Sequence, residues 1–181
     1  AERFGQVLDE YEREIGDGWA CWAFSNHDVV RHASRWNLGE EARRLYAGLL
    51  LSLRGSLCLY QGEELGLTEA YVAFEDLQDP YGIRFWPKFK GRDGCRTPMP
   101  WVSDNRNGGC TETKPWLPVA VEHLSRAVGT QTSDADSILK FYSTMIGFRQ
   151  SYPAITKGAL ELLSQSDGIL SFLRTYDDQQ V

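Results

Sequence analysis

Trp19-Ala20-Cys21-Trp22-Ala23-Phe24, followed at once by Ser25-Asn26-His27-Asp28, is the stretch on which the fold turns. Six residues without a charge, rich in aromatics and bounded by Gly18 on one side and a polar run on the other, have the pattern of a strand buried on both faces. Upstream, Phe4, Val7, Leu8, Tyr11 and Ile15 recur at spacings of three and four, the stripe of an amphipathic helix over Glu2 to Ile15 that ends at Gly16. Downstream, Gly39 to Leu53 reads as a second helix, with Glu40 and Glu41 in its first turn to complement the dipole and Arg54-Gly55 closing it. A second charge-free run, Ser56 to Tyr60, follows directly. Helix, strand, helix, strand with connections this short predicts the parallel βαβ arrangement of an α/β fold.

The remainder changes character. From Gln61 to about Thr132 the chain is dense in Gly, Pro, Trp and charge and nearly aperiodic, and loops of that length are functional or disordered. Its aromatics, Phe74, Tyr81, Phe85, Trp86, Phe89, Trp101 and Trp116, argue for order. A third helix is expected over Asp136 to Gln150, stopped at Ser151-Tyr152 by Pro153. Two strand-like runs, Ala159 to Ser164 and Ile169 to Tyr176, are joined through Ser166-Asp167-Gly168 as a hairpin, which puts a domain boundary near Pro153 to Gly158.

Composition excludes several classes. With 19 basic and 25 acidic residues and a net charge of -6, the chain lacks the basic footprint that nucleic acid or anionic lipid requires. Its longest apolar stretch, Leu49-Leu50-Leu51-Ser52-Leu53, is far shorter than a membrane span. Cys21, Cys58, Cys95 and Cys110 form no CxxC pair, and Cys21 and Cys58 lie in apolar runs where thiols pack as small hydrophobes; a reduced, cytoplasmic protein is expected. The first residue is Ala, and Glu2 onward reads like the middle of a helix, so the chain is expected to begin partway through a larger protein.

In parallel α/β folds the residues just past the strand ends line the ligand site, which selects Ser25 to Asp28 and Gln61 to Glu64. A His beside an Asp suits a base with its orienter, a metal pair, or a grip on adjacent sugar hydroxyls, and equally a capped turn. Glu63-Glu64 is either a solvated turn or part of a site, and like charges this close predict that at most one is buried and paired. His27, His32 and His123 show no ligand spacing, so no metal and no cofactor is expected. Asp104-Asn105-Arg106-Asn107-Gly108 starts like a calcium loop, but Arg106 stands where a ligand is needed, and the segment is read as a polar turn. Gly91-Arg92-Asp93-Gly94-Cys95-Arg96-Thr97-Pro98 is either a salt-bridged turn or an Arg-Asp grip on a hydroxylated ligand.

Taken together these segments resemble the α-amylase superfamily. Phe24-Ser25-Asn26-His27-Asp28 is similar to its conserved region after the seventh barrel strand, and Gly55 to Gly66 to its eighth strand and Gly-Glu-Glu turn. Asp79-Pro80-Tyr81-Gly82-Ile83, Phe85-Trp86-Pro87 and Gly91 to Trp101 are similar to the long loop of the α-glucosidase and oligo-1,6-glucosidase branch. The resemblance implies an α/β fold made of the last two βα units of a (β/α)8 TIM barrel, with residues 1–155 in the catalytic barrel and 156–181 beginning an antiparallel β-sandwich domain. It implies that Asp28 is the third essential carboxylate, hydrogen-bonding the glucosyl ring, that His27 binds a neighbouring hydroxyl, and that Arg92 fixes the non-reducing end of that glucose. The nucleophile and general acid, about 5 Å apart in retaining enzymes, would follow the fourth and fifth strands, upstream of this chain. The implied activity is that of a retaining α-glucosidase acting on an oligosaccharide or α-glucoside. A transglycosylase or isomerase of the family, or a non-catalytic binding relative, is the alternative.

Overall fold

A computed structural model describes residues 2–164, 166 and 168–181. The chain forms two compact units, one comprising Ala1–Trp22, Gly48–Cys58 and Met145–Val181, the other Ala23–Ala47 and Leu59–Thr144. Helix α1 spans Glu2–Ile15; of its apolar stripe Leu8 is buried, Phe4, Tyr11 and Ile15 are half-buried and Val7 is exposed, while Gly5 is buried beside them. Strand β1, Cys21–Trp22, runs parallel to β2, Ser56–Leu57, with Cys21 opposite Ser56 and Trp22 opposite Leu57. Helix α3, Glu40–Leu51, precedes β2, and a short helix α2, His32–Arg35, stands ahead of it.

The parallel βαβ order is as expected, whereas the burial of its strands is not. Cys21 and Cys58 are exposed, and all four cysteines are free. A parallel strand is dry on both faces only when helices and neighbouring strands cover it, and among the described residues β1 and β2 pair only with each other.

Two buried arginines tie together the first unit. Arg149 donates to the carbonyls of Leu51, at 2.9 Å, Leu53, at 2.6 Å, and Gly55, satisfying the last acceptor of α3 and two in the turn that follows it. Arg174, 1% exposed, donates to the carbonyls of Ile155 and Gly158 and faces Glu12, which also pairs with Arg54 at 3.3 Å. Burial lowers the Arg174 guanidinium to about 10, against the pull of Glu12. Strands β3, Ala159–Ser164, and β4, Ser171–Tyr176, form the antiparallel hairpin that alternation predicts, and β5, Gln179–Gln180, adds a third strand. Asp167 of the expected turn lies outside the described residues.

The long aperiodic segment is ordered by short elements: α4 at Pro80–Phe85, α5 at Val121–Leu124 and α6 at Val128–Ser133. Val72, Leu77 and Leu117 form a buried cluster under Trp86. Helix α7, Ile138–Ser151, starts where the Ser137 hydroxyl accepts the Lys140 N–H at 3.2 Å. It stops before Pro153 as anticipated, but the proline then opens a further helix, α8, Pro153–Lys157, because its fixed φ suits a first helical position. No helix among the described residues is long and apolar enough to cross a membrane.

Candidate functional site

The turn carrying His27 and Asp28 is anchored at both ends. Phe24 packs against His32, Trp36 and Tyr46, and Trp36 in turn against Tyr46, with ring centroids 5.1 to 6.3 Å apart. The buried Ser25 hydroxyl accepts the His32 backbone N–H at 2.9 Å and meets its Nδ1 at 3.0 Å. Between these anchors the Asn26 side chain accepts the Asp28 N–H at 2.8 Å, an Asx turn that presents the Asp28 carboxylate outward.

Two guanidiniums converge on one oxygen of that carboxylate. Asp28 Oδ1 accepts from Arg92 Nη1 at 2.9 Å and Arg96 Nη2 at 3.0 Å. Its Oδ2 lies 3.4 Å from His27 Nε2 and accepts no bond closer than that among the described residues. Arg96 Nε also donates to the His27 carbonyl at 2.7 Å, holding the turn against the long loop. Desolvation, which would raise the Asp28 carboxyl, is outweighed by the Arg92 hydrogen bond and the charges of His27, Arg92 and Arg96, so the group sits below its ordinary value. Asp28 therefore remains a carboxylate, an acceptor of donors only.

Arg92 is gripped from behind by Asp79, whose side chain is fully buried: Nε meets Oδ2 at 2.9 Å and Nη2 meets Oδ1 at 3.2 Å. The pair is bidentate, the strong form of this interaction. The Arg92 hydrogen bond lowers the Asp79 carboxyl to about 2 against the cost of burial.

Beneath this cluster Arg31, 1% exposed, ties three segments together. Its Nη1 donates to the Gln61 carbonyl at 2.7 Å, its Nη2 to the Cys95 carbonyl at 3.0 Å, and its backbone N–H to Glu69 Oε2 at 3.0 Å, with Tyr60 stacked on the guanidinium at 5.1 Å. Of the two adjacent glutamates Glu63 is buried, with Oε1 3.6 Å from His32 Nδ1, while Glu64 accepts the Gly62 N–H at 2.8 Å and is raised by burial.

The structure thus gathers Asp28, His27 and Arg92 into one cluster and turns Glu63 inward to His32. Asp93, half of the Arg-Asp pair visible in the sequence, does not touch Arg92 through its side chain; it is fully buried and accepts the N–H groups of Gln78 and Asp79. Arg96, Asp79 and Arg31 were not selected from the sequence. The Asp79-Pro80 dipeptide was the available signal, because Asp before Pro is a helix start; Arg31 and Arg96 carry no periodicity or spacing that separates them from other arginines. No group of three or more histidine, cysteine or acidic side chains that could hold a metal forms among the described residues.

A parallel βαβ chain with a carboxylate, an imidazole and paired guanidiniums gathered beyond its strand ends belongs to the α/β class, in which that end of the sheet is where ligand sites form. The particular family follows from comparison: residues 2–158 match the model "Alpha amylase, catalytic domain", and the chain belongs to the α-amylase family. It is 50% identical over 184 residues to a probable alpha-glucosidase of Rhizobium meliloti (strain 1021), covering 99% of this chain and 33% of that protein. It is 33% identical to an oligo-1,6-glucosidase of Heyndrickxia coagulans, covering 87% of this chain and 32% of that protein. It is also similar to the crystal structure of the alpha-glucosyl transfer enzyme XgtA, with a TM-score of 0.91 and 48% identity over 98% of this chain and 34% of that one. The chain spans about a third of the length of these relatives. Its fold is part of the family's TIM barrel, with a small antiparallel sheet.

Proposed function

We propose that this chain is the glucose-gripping part of a retaining α-glucosidase that releases terminal α-linked glucose from oligosaccharides. One observation carries the reading: Asp28 is half exposed and spends Oδ1 on Arg92 and Arg96, while Oδ2 has only the looser His27 contact and is left to accept sugar hydroxyls. In a site from which water is displaced, hydroxyl bonds to a charged acceptor are stronger than neutral ones and can tighten as the ring flattens. Asp28 thus touches the glucosyl ring as a catalytic residue, while His27 and Arg92 bind its hydroxyls and close off its non-reducing end. Bond cleavage needs two further carboxylates, which in this reading follow the fourth and fifth barrel strands, while residues 1–155 form the C-terminal part of the barrel, including the long loop after its eighth strand, and 156–181 begin the sandwich domain. The four free cysteines accord with a reducing compartment.

The enzyme carrying this chain is expected to hydrolyse p-nitrophenyl α-glucoside and at least one of maltose, isomaltose and sucrose. Asp28→Asn should reduce kcat/KM by about 10²- to 10³-fold, the scale of a lost transition-state hydrogen bond; undiminished activity would overturn the assignment. A second reading, transfer of glucose to an acceptor other than water, is favoured by the likeness to an alpha-glucosyl transfer enzyme. Oligosaccharide products formed in excess of free glucose would select it.

A further inference from the structure

Asp79 stands at the start of α4 with its chain extended, φ -69 and ψ 116, and the next residue, Pro80, cannot donate. Its carboxylate accepts the Tyr81 N–H at 3.1 Å, as an N-cap does. A capping aspartate needs nothing more, yet this one takes three further donors, all from Arg92: the backbone N–H at 2.9 Å, Nε at 2.9 Å and Nη2 at 3.2 Å. Four donors fill the four lone-pair positions of a carboxylate. With Nε and Nη2 fixed to Asp79, the planar guanidinium has one edge left, and Nη1 on that edge is the atom that meets Asp28.

The backbone is shaped to permit this. Gly91 has φ +79, and a Cβ there would lie 3.0 Å from Asp79 Oδ2 and 2.9 Å from Gly82 Cα, while a Cβ on Gly82 would lie 2.7 Å from the Lys90 carbonyl. Two glycines let residues 79–82 and 90–92 press together closely enough for the carboxylate to reach the Arg92 main chain. Asp93 then fixes the carboxylate's own backbone, Oδ2 accepting the Gln78 N–H at 2.6 Å and the Asp79 N–H at 2.8 Å. The Tyr81 ring covers the guanidinium, its centroid 5.8 Å from the central carbon.

We propose that Asp79 is a positioning residue: it aims Arg92 at Asp28 and at the non-reducing end of the bound glucose, so that the grip is formed before substrate arrives. This rests on the reading of Arg92 as a glucose-binding residue. Asp79 touches no substrate itself; its effect passes entirely through Arg92.

The test is a double-mutant cycle in the enzyme carrying this chain, with kcat and KM measured on p-nitrophenyl α-glucoside. Asp79→Asn should lower kcat/KM by about 10²-fold, the scale of a displaced binding group. In an Arg92→Ala background it should cause no further loss, since the two residues act as one unit. Added guanidinium ion should restore activity to Arg92→Ala but not to the double variant, because Asp79 is what would hold the free ion, and a merely structural role predicts no such dependence. If Asp79→Asn fails to fold, Arg92→Lys decides: it keeps the charge without the fork and should fall nearly as far as Arg92→Ala. Additive losses, rescue that ignores Asp79, or a fully active Arg92→Lys would each overturn the proposal. An unmodified enzyme inactive on every α-glucoside would instead sink the functional reading, so the two failures are distinguishable.

Discussion

The unit that contains α1, β1, β2 and the hairpin and the unit that contains the long loop solve the same problem by different means. In the first, repeating elements supply most of the order, an amphipathic stripe on α1 and alternating part-buried and exposed residues along β3, and Arg149 and Arg174 meet the carbonyls between them. In the second, most of the chain between Leu59 and Thr144 is neither helix nor strand. There the backbone polar groups that regular structure would satisfy are met by charged side chains, as Arg31, Asp79, Asp93 and Glu69 do. The lesson is that an aperiodic segment can be as determined as a helix, provided buried charges replace the ladder.

The largest loss of stability is expected from Arg31→Met. The thioether fills much of the volume but meets neither the Gln61 nor the Cys95 carbonyl, both of which Arg31 now satisfies. Leaving a buried acceptor without its donor costs about 1–3 kcal/mol for each group, and with two carbonyls unmet the expected outcome is a large fall in the chemical-denaturation midpoint. A variant as stable as the parent would mean that the loop is held by its apolar cluster of Val72, Leu77 and Leu117 instead. The matched test in the first unit is Arg149→Met, which leaves the carbonyls of Leu51, Leu53 and Gly55 unmet. Its cost is set at about 2–3 kcal/mol, the value of charged hydrogen bonds, because the helix and sheet around it have ladders of their own.

These two arginines also mark the limit of what could be read from the sequence. Helix α1 was legible from its apolar period, α3 from its first-turn acids and closing glycine, α7 from its proline stop and the β3–β4 hairpin from its turn residues, signals that are local and survive without knowledge of neighbours. His27, Asp28 and Arg92 were legible as candidates from strand-end position and likeness to a family. Asp79, Arg96 and Arg31 were not, because what distinguishes them is which distant carbonyl or carboxylate they meet, at separations such as 64 residues for Arg31 and Cys95.

Acid should reveal what the second unit's Asp79–Arg92 pair contributes. Asp79 has its carboxyl lowered from 3.8 to about 2 by Arg92. A depressed carboxyl contributes stability that is present above the unfolded value and lost as pH falls through the folded one, so the contribution should fade between about pH 4 and pH 2. Asp79→Asn should therefore be less stable than the parent at neutral pH, by about 1 kcal/mol once screening at the partly exposed Arg92 is allowed for. The two stability curves should converge below about pH 2. A difference that stays constant with pH would show that the charge of Asp79 is not what it contributes, since asparagine keeps the oxygen that accepts the Tyr81 N–H.

The smallest effect is expected where a bond of similar length is placed in water. Arg13 and Asp9 on α1 meet at 3.2 Å, little longer than the 2.9 Å between Arg92 and Asp79. Their side chains are 70% and 55% exposed, against 32% for Arg92 and none for Asp79. Water solvates the exposed pair nearly as well apart as together, and holding two flexible chains in register costs entropy, so such i,i+4 pairs are worth about 0.3–0.5 kcal/mol. Asp9→Asn should shift the denaturation midpoint by no more than this at low salt and by less at high salt, where the Debye length shrinks to about 3 Å at 1 M. A loss as large as that of Asp79→Asn would mean that distance alone sets the value of an ion pair in this chain. The contrast between its two units would then have to rest on the number of charges and not on their burial.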